Sequence, residues 1–228
     1  MGKKTIVVTN AGSADKSSLL SKYRKLGYKF NADQVVSSRD LLSTGLEKYP
    51  ESMRWGVAAP TWSAIDKIGS NLELLDDEYA RYAVVDGFIF LGSHQWNQHR
   101  QSLVLKSLGE NPRPVLVGNP DLIAPREKGF SLEPGFFAHD VADQTRIQPE
   151  FFGKPFNHVF DQVKAAHDGL NPLRTIMIGD TLHTDILGGR AAGFKTALVA
   201  DYGLFRGHDV YQYIKRSKII PDYILPAI

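Results

Sequence analysis

Apolar residues along the chain fall into short runs separated by segments with a helical period. The first run, Lys4–Thr9, is rich in β-branched residues and predicts a buried strand. Ser17–Leu26 then carries apolar residues at helical spacing and is followed by Gly27, a residue type that often ends a helix. A strand over Gln34–Ser37 and a helix over Ser38–Lys48 follow in the same way. This alternation predicts an α/β fold with a parallel sheet.

The pattern changes near residue 53 and returns to regular strand–helix alternation near residue 147. In the middle segment we predict strands over Trp55–Ala59, Tyr82–Phe90 and Pro114–Val117, helices over Ile65–Ile68 and Gln98–Leu108, an acidic turn over Glu73–Glu78 and a loop-rich stretch over Glu127–Pro149. In the last segment we predict helices over Asn157–Asp168, Thr184–Ala192 and Val210–Arg216, and strands over Arg174–Ile178, Thr196–Ala200 and Pro221–Leu225. We therefore predict that residues 1–52 and 147–228 form one domain, and that residues 53–146 form a second α/β unit inserted into it.

The composition narrows the class of protein. The chain has 228 residues, 43% of them hydrophobic and 23% charged, as in an ordinary globular protein of one large or two modest domains. A net charge of +2 gives no indication of a nucleic-acid partner. The absence of cysteine excludes disulfides, thiolate metal sites and a cysteine nucleophile. The longest apolar stretch, Ala83–Leu91, is too short to span a bilayer, so we expect a cytoplasmic protein without a membrane partner.

Polar side chains stand where predicted strands end. Thr9 and Asn10 end the first strand, while Asp180 ends a later one and Asp185 lies five residues beyond it. Ligands of open α/β sheets bind beyond the carboxyl ends of the strands. Two carboxylates on either side of a strand-to-helix turn can share Mg²⁺, which prefers oxygen ligands. Because Lys154 adds a cation in a Gly-Lys-Pro turn, the sequence predicts a metal-dependent phosphate-ester site.

Each of these residues also has an ordinary structural interpretation. Asp180 and Asp185 fit a turn aspartate and a helix-start aspartate that stabilises the helix dipole. Lys154 fits a solvated surface lysine, the usual environment of this residue type. Thr9 and Asn10 fit the hydrogen bonding of an ordinary turn after a strand. These alternatives remain open at the level of the sequence.

Two further polar residues are candidates for the same site. Asn119, in Asn119-Pro120-Asp121, is suited to contact a substrate, although this tripeptide is also a strong turn former. His183 lies between the paired aspartates and is either a general base or a turn histidine without a catalytic role. The position of these two residues in the sequence does not by itself assign either of them a role.

Taken in order, Thr9, Lys154 and the Gly179–Asp185 segment resemble motifs II, III and IV of the haloacid-dehalogenase-like (HAD) superfamily. The details are similar to its subfamily IIA, the NagD and p-nitrophenylphosphatase group. The supporting segments are Val8-Thr9-Asn10, Asn119-Pro120-Asp121, Pro134-Gly135, Gly153-Lys154-Pro155 and Gly179–Gly189. The resemblance covers nearly the whole chain and implies a Rossmann-like core at about 1–52 and 147–228, with a cap domain at about 53–146.

The resemblance also implies an activity and a role for each matched residue. It implies a Mg²⁺-dependent phosphatase that hydrolyses a small phosphorylated metabolite through an aspartyl-phosphate. Thr9 would bind the transferring phosphoryl group with Asn10 nearby, and Lys154 would neutralise its charge. Asp180 would be a Mg²⁺ ligand, and Asp185 would hold a metal-bound water. Phosphoryl transfer suits this set, because it needs mostly positioning and charge neutralisation.

The chain departs from the family pattern at motif I, which supplies the nucleophilic and the acid/base aspartates. No acidic residue precedes Thr9 in this sequence. The leading hypothesis is a HAD-type phosphatase whose nucleophile-bearing segment is missing from this chain. The alternatives are a non-catalytic member that binds a phosphate ligand or a protein partner, and a structural remnant without a ligand. The sequence gives no indication of the oligomeric state.

Overall fold

The computed structural model describes residues 3–167 and 169–227 and divides the chain into two compact units. The first unit comprises Met1–Ile123 and Leu132–Gly153, and the second comprises Ala124–Ser131 and Lys154–Ile228. This division differs from the predicted core of 1–52 and 147–228 with an insertion at 53–146, because residues before 53 share a hydrophobic core with residues after it. The predicted arrangement of core and cap domains stays a prediction.

The elements alternate between strands and helices through most of the chain. The strands are β1 (Val7–Thr9), β2 (Val35–Ser37), β3 (Trp55–Ala58), β4 (Leu72–Leu74), β5 (Gly87–Phe90), β6 (Val115–Val117), β7 (Ile123–Pro125), β8 (Phe130–Leu132), β9 (Glu150–Phe151), β10 (Ile176–Gly179), β11 (Lys195–Val199) and β12 (Tyr223–Leu225). The helices are α1 (Lys16–Lys25), α2 (Ser38–Leu46), α3 (Tyr79–Val84), α4 (Gln98–Glu110), α5 (Pro134–Thr145), α6 (Asn157–Ala166), α7 (Leu187–Ala191) and α8 (Val210–Ser217). A π-helical turn, Leu182–Ile186, precedes α7.

The first unit contains two parallel sheets, which confirms the predicted α/β class. β1 pairs in parallel with β2, and the strand order of the larger sheet is β4-β3-β5-β6-β9. The predicted strand–helix–strand–helix order at the start of the chain is also confirmed. Both of its helices begin at a polar side chain that accepts a main-chain hydrogen bond. Asp15 accepts a hydrogen bond from the Ser18 N–H at the start of α1, and Ser37 accepts one from the Asp40 N–H at the start of α2.

The core of the larger sheet explains why its strands read as continuous apolar runs. Side chains of a strand alternate between its two faces. Phe88 and Phe90 therefore pack into one buried cluster, while Ile89 packs into a second cluster with Leu42 of α2. Burial of each such side chain stabilises the fold by about 1.5–3 kcal/mol. Both faces of β5 are consequently apolar, as in a parallel sheet that is covered on both sides.

The predicted strand over Tyr82–Phe90 is wrong in its first half, where the structure has the end of α3. Tyr79 and Tyr82 are three positions apart and lie on one helical face, and Tyr82 is fully buried. Asp86-Gly87 marks the change from helix to strand, and the Asp86 N–H donates to the Arg54 carbonyl at that point. Asp86-Gly87, which interrupts the apolar stretch Ala83–Leu91, therefore marks an element boundary.

Two other interpretations of the middle segment are corrected. The predicted acidic turn over Glu73–Glu78 begins inside β4, because the Leu72–Leu74 strand carries one acidic residue among its apolar ones. The predicted loop over Glu127–Pro149 contains α5, whose first residue is Pro134. Proline is tolerated in the first turn of a helix, where its missing N–H would have no partner.

The second unit contains a parallel sheet of strand order β10-β11-β12. One buried cluster of this unit is formed by Leu182, Ile186, Leu198, Phe205 and Val210. The predicted strands and helices of this region are confirmed, except that the predicted helix over Thr184–Ala192 is a π-helical turn followed by α7. The predicted end of the Asn157–Asp168 helix, Asp168, lies outside the described residues.

β10 differs from its neighbour β11 in strand pairing and in solvent exposure. Within the described residues it pairs with β11 alone, so that one of its edges has no strand partner. Ile176 and Ile178 are 44% and 42% exposed, whereas Ala197 and Leu198 of β11 are fully buried. β10 is therefore an apolar edge strand. Among the described helices, none has the length and apolar character that a membrane span requires.

Candidate active site

The turn after β10 holds both predicted metal ligands in the second unit. β10 ends at Gly179, Asp180 follows directly, and the π-helical turn carries Asp185. The Asp185 and Ile186 N–H groups both donate to the Thr181 carbonyl, which fixes the start of this turn. The Asp185 carboxylate reaches back, and its Oδ2 accepts a hydrogen bond from the Thr181 N–H at 3.1 Å. Asp185 therefore also has the structural role of a carboxylate that accepts a main-chain N–H at the start of a helix.

Lys154 forms an ion pair with Asp185 inside this unit. Its Nζ lies 2.6 Å from Asp185 Oδ1, and the two side chains are 13% and 5% exposed. The lysine is therefore not a solvated surface residue. Both oxygens of Asp185 have hydrogen-bond partners, one a side-chain cation and the other a main-chain N–H. A buried carboxylate requires such partners, because an unpaired buried charge is strongly unfavourable.

Gly179 makes room for the Asp185 carboxylate. A Cβ atom at position 179 would overlap the Cβ, Cγ and Oδ2 atoms of Asp185. The residue before Asp180 must therefore lack a side chain if Asp185 is to contact Lys154 in this position. This steric requirement gives a physical reason for the Gly-Asp pair at the end of the strand.

Asp180 has two carboxylate oxygens with different surroundings. Its Oδ2 accepts a hydrogen bond from the Leu204 N–H at 3.0 Å, whereas its Oδ1 has only a 3.5 Å contact with Thr181 Oγ1. Asp180 lines a cavity of about 380 Å³, together with Ile178, Gly179, Val199, Tyr202 and Gly203. One Asp180 oxygen is thus held by the main chain, and the other is the better placed to accept a ligand.

Gly203 and Leu204 are not among the predicted site residues. They form a short 3₁₀ turn, Gly203–Phe205, after β11, and no reactive side chain marks them. Their contact with Asp180 joins positions that are 24 residues apart. The only signal in the sequence is a glycine shortly after an apolar strand, which is too common to identify a site.

In the first unit, Thr9 and Asn10 lie at the end of β1. Thr9 Oγ1 accepts a hydrogen bond from the Ala11 N–H at 3.3 Å, so Thr9 takes part in an ordinary turn. Asn10 is buried, and its Nδ2 donates to Asp121 Oδ1 at 2.9 Å. The end of β1 is therefore joined to the Asn119-Pro120-Asp121 segment through Asp121.

Asn119 is buried within its own turn. Its Oδ1 accepts a hydrogen bond from the Asp121 N–H at 3.1 Å, and its Nδ2 donates to Glu133 Oε2 at 3.3 Å. A Cβ atom at Gly135 would overlap the Pro120 carbonyl, so the small residue after Pro134 allows this close approach. These contacts agree with the turn interpretation of Asn119, and its role in binding a substrate stays a prediction.

The predicted site residues are divided between the two units. Thr9, Asn10 and Asn119 belong to the first, while Lys154, Asp180 and Asp185 belong to the second. The second group is brought together by the Lys154–Asp185 ion pair and the turn after β10. His183 lies on the same turn with an exposed side chain, and the described residues give it no hydrogen bond. A single cleft that contains both groups stays a prediction.

The residues of the second unit are compatible with a metal site in which the protein supplies few ligands. Among the described residues, no group of three or more histidines and carboxylates is arranged to hold a metal ion. Mg²⁺ is often bound by one or two carboxylates, with water and substrate oxygens as its other ligands. Asp180 Oδ1 meets this description, whereas both oxygens of Asp185 are already engaged. The contacts therefore favour Asp180 over Asp185 as a direct ligand.

Comparisons with family models match both ends of the chain. Residues 1–65 match the model described as haloacid dehalogenase-like hydrolase, and residues 151–227 match the model described as HAD-hydrolase-like. These two regions contain Thr9, Asn10, Lys154, Asp180 and Asp185. The two models thus match the regions that carry the proposed chemistry.

Comparisons with curated proteins give relatives that are phosphatases by name. The chain is 34% identical to the glycerol-3-phosphate phosphatase of Homo sapiens over 125 residues, which are 52% of this chain and 39% of that protein. It is 26% identical to an acid sugar phosphatase of Staphylococcus epidermidis over 223 residues, which are 96% of this chain and 80% of that protein. The chain thus spans about two fifths of the first relative's length and four fifths of the second's.

Comparisons with solved structures give the same fold along almost the whole chain. A protein of Cytophaga hutchinsonii, described as a possible sugar phosphatase of the HAD superfamily, superposes with a TM-score of 0.81 at 25% identity and covers 97% of this chain and 81% of its own. A p-nitrophenyl phosphatase of Archaeoglobus fulgidus superposes with a TM-score of 0.77 at 22% identity and covers 99% of this chain and 84% of its own. The second likeness supports the fold alone.

Proposed function

Because this chain belongs to the haloacid-dehalogenase-like hydrolase superfamily, and to its subfamily IIA, we propose that it acts in the hydrolysis of small phosphomonoesters. The observation that carries the proposal is the buried Lys154–Asp185 ion pair beside Asp180 at the end of β10. A buried lysine with a fixed position is suited to neutralise phosphoryl oxygens. The names of the relatives support a phosphorylated metabolite, such as a sugar phosphate or glycerol phosphate, as the substrate class.

The proposed roles of Lys154, Asp180 and Asp185 are supported by contacts within the second unit. Those of Thr9 and Asn10 are supported by the resemblance to motif II. Lys154 binds the phosphoryl group through its ammonium, and Asp185 holds that ammonium in place. Thr9 and Asn10 contribute a hydroxyl and an amide to the phosphoryl oxygens. Asp180 offers Oδ1 to Mg²⁺, which supplies further charge neutralisation at the phosphoryl group when it is bound. The cytoplasmic location stays a prediction.

The proposed covalent route needs a nucleophile that this chain does not show. An aspartyl-phosphate forms when an aspartate attacks phosphorus and the leaving alcohol takes a proton from a neighbouring acid. The residues before Thr9 contain neither carboxylate. We therefore propose that hydrolysis requires an added strand that ends in Asp-x-Asp, and that the 228 residues alone bind a phosphate ester without splitting it.

A second candidate function is phosphate binding without catalysis. The same observation favours it, because the cation and the carboxylates are present while the nucleophile is not. Such a protein would bind inorganic phosphate or a phosphorylated ligand through Lys154 and would release it unchanged. The two candidates differ in whether an added nucleophile makes the chain active.

Hydrolysis of p-nitrophenyl phosphate with Mg²⁺ tests the proposal. We expect negligible turnover by the 228 residues and measurable turnover by the same chain preceded by a strand that ends in Asp-x-Asp. Lys154→Ala in the extended chain should abolish that turnover. Robust turnover by the 228 residues that is lost in Lys154→Ala contradicts the need for the added strand. Phosphate binding without turnover in both chains favours the second candidate.

A further inference from the structure

The 3₁₀ turn Gly203–Phe205 contacts the Asp180 carboxylate from the end of the neighbouring strand. The Leu204 N–H donates to Asp180 Oδ2 at 3.0 Å. Gly203 has a φ of +69°, and a Cβ atom there would overlap the Cβ, Cγ and Oδ2 atoms of Asp180. Two features thus place this carboxylate. A main-chain N–H holds one of its oxygens, and the lack of a side chain at Gly203 leaves room for it.

The contact makes the two oxygens of Asp180 unequal. Oδ2 is engaged by the main chain, and Oδ1 has only the 3.5 Å contact with Thr181 Oγ1. A carboxylate is planar, so fixing one oxygen fixes the direction in which the other points. Asp180 is one of the residues that line the cavity of about 380 Å³, together with Ile178, Val199 and Tyr202. The main chain of the turn therefore engages Oδ2 and leaves Oδ1 as the oxygen with the weaker existing contact.

We propose that Gly203 and the Leu204 N–H position the Asp180 carboxylate so that Oδ1 is its ligand-binding oxygen. This inference rests on the proposed function in one respect, which is that the ligand is Mg²⁺. Gly203 and Leu204 are positioning residues, because they act through Asp180 and touch no reacting atom. A side chain at position 203 would rotate or displace the carboxylate and would weaken the binding of a cation.

The same unit offers a control for the backbone strain of a substitution. Gly207 has a φ of +78°, close to that of Gly203, and a Cβ atom at Gly207 would meet no atom within 4 Å. Gly203→Ala and Gly207→Ala therefore both place an alanine at a similar positive φ, which alanine adopts at a cost. They differ in that only Gly203→Ala affects the Asp180 carboxylate.

The first measurement tests the contact itself by amide hydrogen exchange of the full chain. We expect the Leu204 amide to be protected in the wild type and in Gly207→Ala. Protection should fall at least tenfold in Asp180→Ala, which removes the acceptor, and in Gly203→Ala. An unprotected Leu204 amide in the wild type, or one that stays protected in Asp180→Ala, overturns the proposal even if Gly203→Ala does not fold.

The second measurement is a titration with MgCl₂, monitored by the NMR signal of the Asp180 carboxyl carbon. We expect the dissociation constant of Gly203→Ala to be at least tenfold higher than that of the wild type, and that of Gly207→Ala to lie within twofold. Equal weakening in both variants overturns the proposal, because strain alone would then explain it. A wild type with a protected Leu204 amide and no response to Mg²⁺ supports the positioning contact and contradicts the metal in the proposed function.

Discussion

Lys154 Nζ lies 2.6 Å from Asp185 Oδ1, and the two residues are brought together from the loop before α6 and the turn after β10. Their side chains are almost entirely removed from solvent, so each charge depends on its partners for stabilisation. The pair connects the cation and the carboxylate that the sequence suggests for phosphate chemistry. It also makes both residues important for stability, apart from any catalytic role.

We expect Asp185→Asn and Lys154→Met each to destabilise the protein. Each substitution leaves one buried charge without its ionic partner, which typically costs about 3–5 kcal/mol. The double variant should be less destabilised than the sum of the two single variants, because no unpaired charge remains. Urea unfolding of the four proteins measures the coupling. Additivity to within about 0.5 kcal/mol would contradict the ion pair.

Gly179→Ala should destabilise the second unit. The added Cβ atom would overlap the Asp185 carboxylate, and overpacking of this kind costs about 1–3 kcal/mol. Gly109→Ala is the matched control, since Gly109 lies in α4 and a Cβ atom there would meet no atom within 4 Å. This control should gain about 0.5–1 kcal/mol from its higher helix propensity. Equal unfolding midpoints for both variants would contradict the steric argument.

Asp222 should make the stability of the second unit depend on pH. Hydrogen bonds from the Lys195 ammonium and from the N–H and hydroxyl of Thr196 lower the pKa of the Asp222 carboxyl from 3.8 to about 2. The charged form is favoured in the folded state, so its stabilisation is complete above pH 3.8 and is lost as the pH falls towards 2.

The difference in urea midpoint between the wild type and Asp222→Asn measures this effect. We expect a clear difference at pH 7 that shrinks as the pH falls below 4. Asp201→Asn is the control, because the described residues give its exposed carboxylate no hydrogen bond. A wild-type advantage over Asp222→Asn that is constant between pH 7 and pH 2 would contradict the prediction.

Mg²⁺ should bind the 228-residue chain weakly. Asp180 Oδ1 is the one oxygen of the two predicted ligands that is not engaged by a strong donor, and Mg²⁺ must draw its other ligands from water or substrate. Calorimetric titration should show low affinity that Asp180→Asn reduces further. Tight binding that Asp180→Asn abolishes would show that another protein ligand takes part.

Much of the fold was predictable because the parallel strands are short apolar runs that end in turn residues. β1, β2, β10 and β11 each follow this pattern, and the structure confirms them. The sequence pattern predicts a single strand where the structure has the end of α3 and β5. A short buried helix and a buried strand are equally apolar over a few residues, so the pattern does not separate them. The sequence pattern does not indicate α5, because Pro134 is typical of a loop although here it occupies the first turn of the helix.

The candidate site was predictable in its residue types and less so in its contacts. The position of Asp180 after a strand identified it, and the adjacent Gly179 is explained by the space that Asp185 occupies. The pairing of Lys154 with Asp185 joins residues 31 positions apart, and the Leu204 N–H joins Asp180 across 24 positions. Such contacts depend on how β10 and β11 bring their following loops together, which no local pattern encodes.

β10 has an open edge within the described residues, with Ile176 and Ile178 in contact with solvent, and we expect this edge to favour self-association. An edge strand that presents free N–H and C=O groups beside apolar side chains is a template for pairing with the same edge of another molecule. Light scattering should therefore rise steeply with protein concentration. Ile178→Lys, which places a charge on this edge, should keep the protein in solution at concentrations where the wild type precipitates.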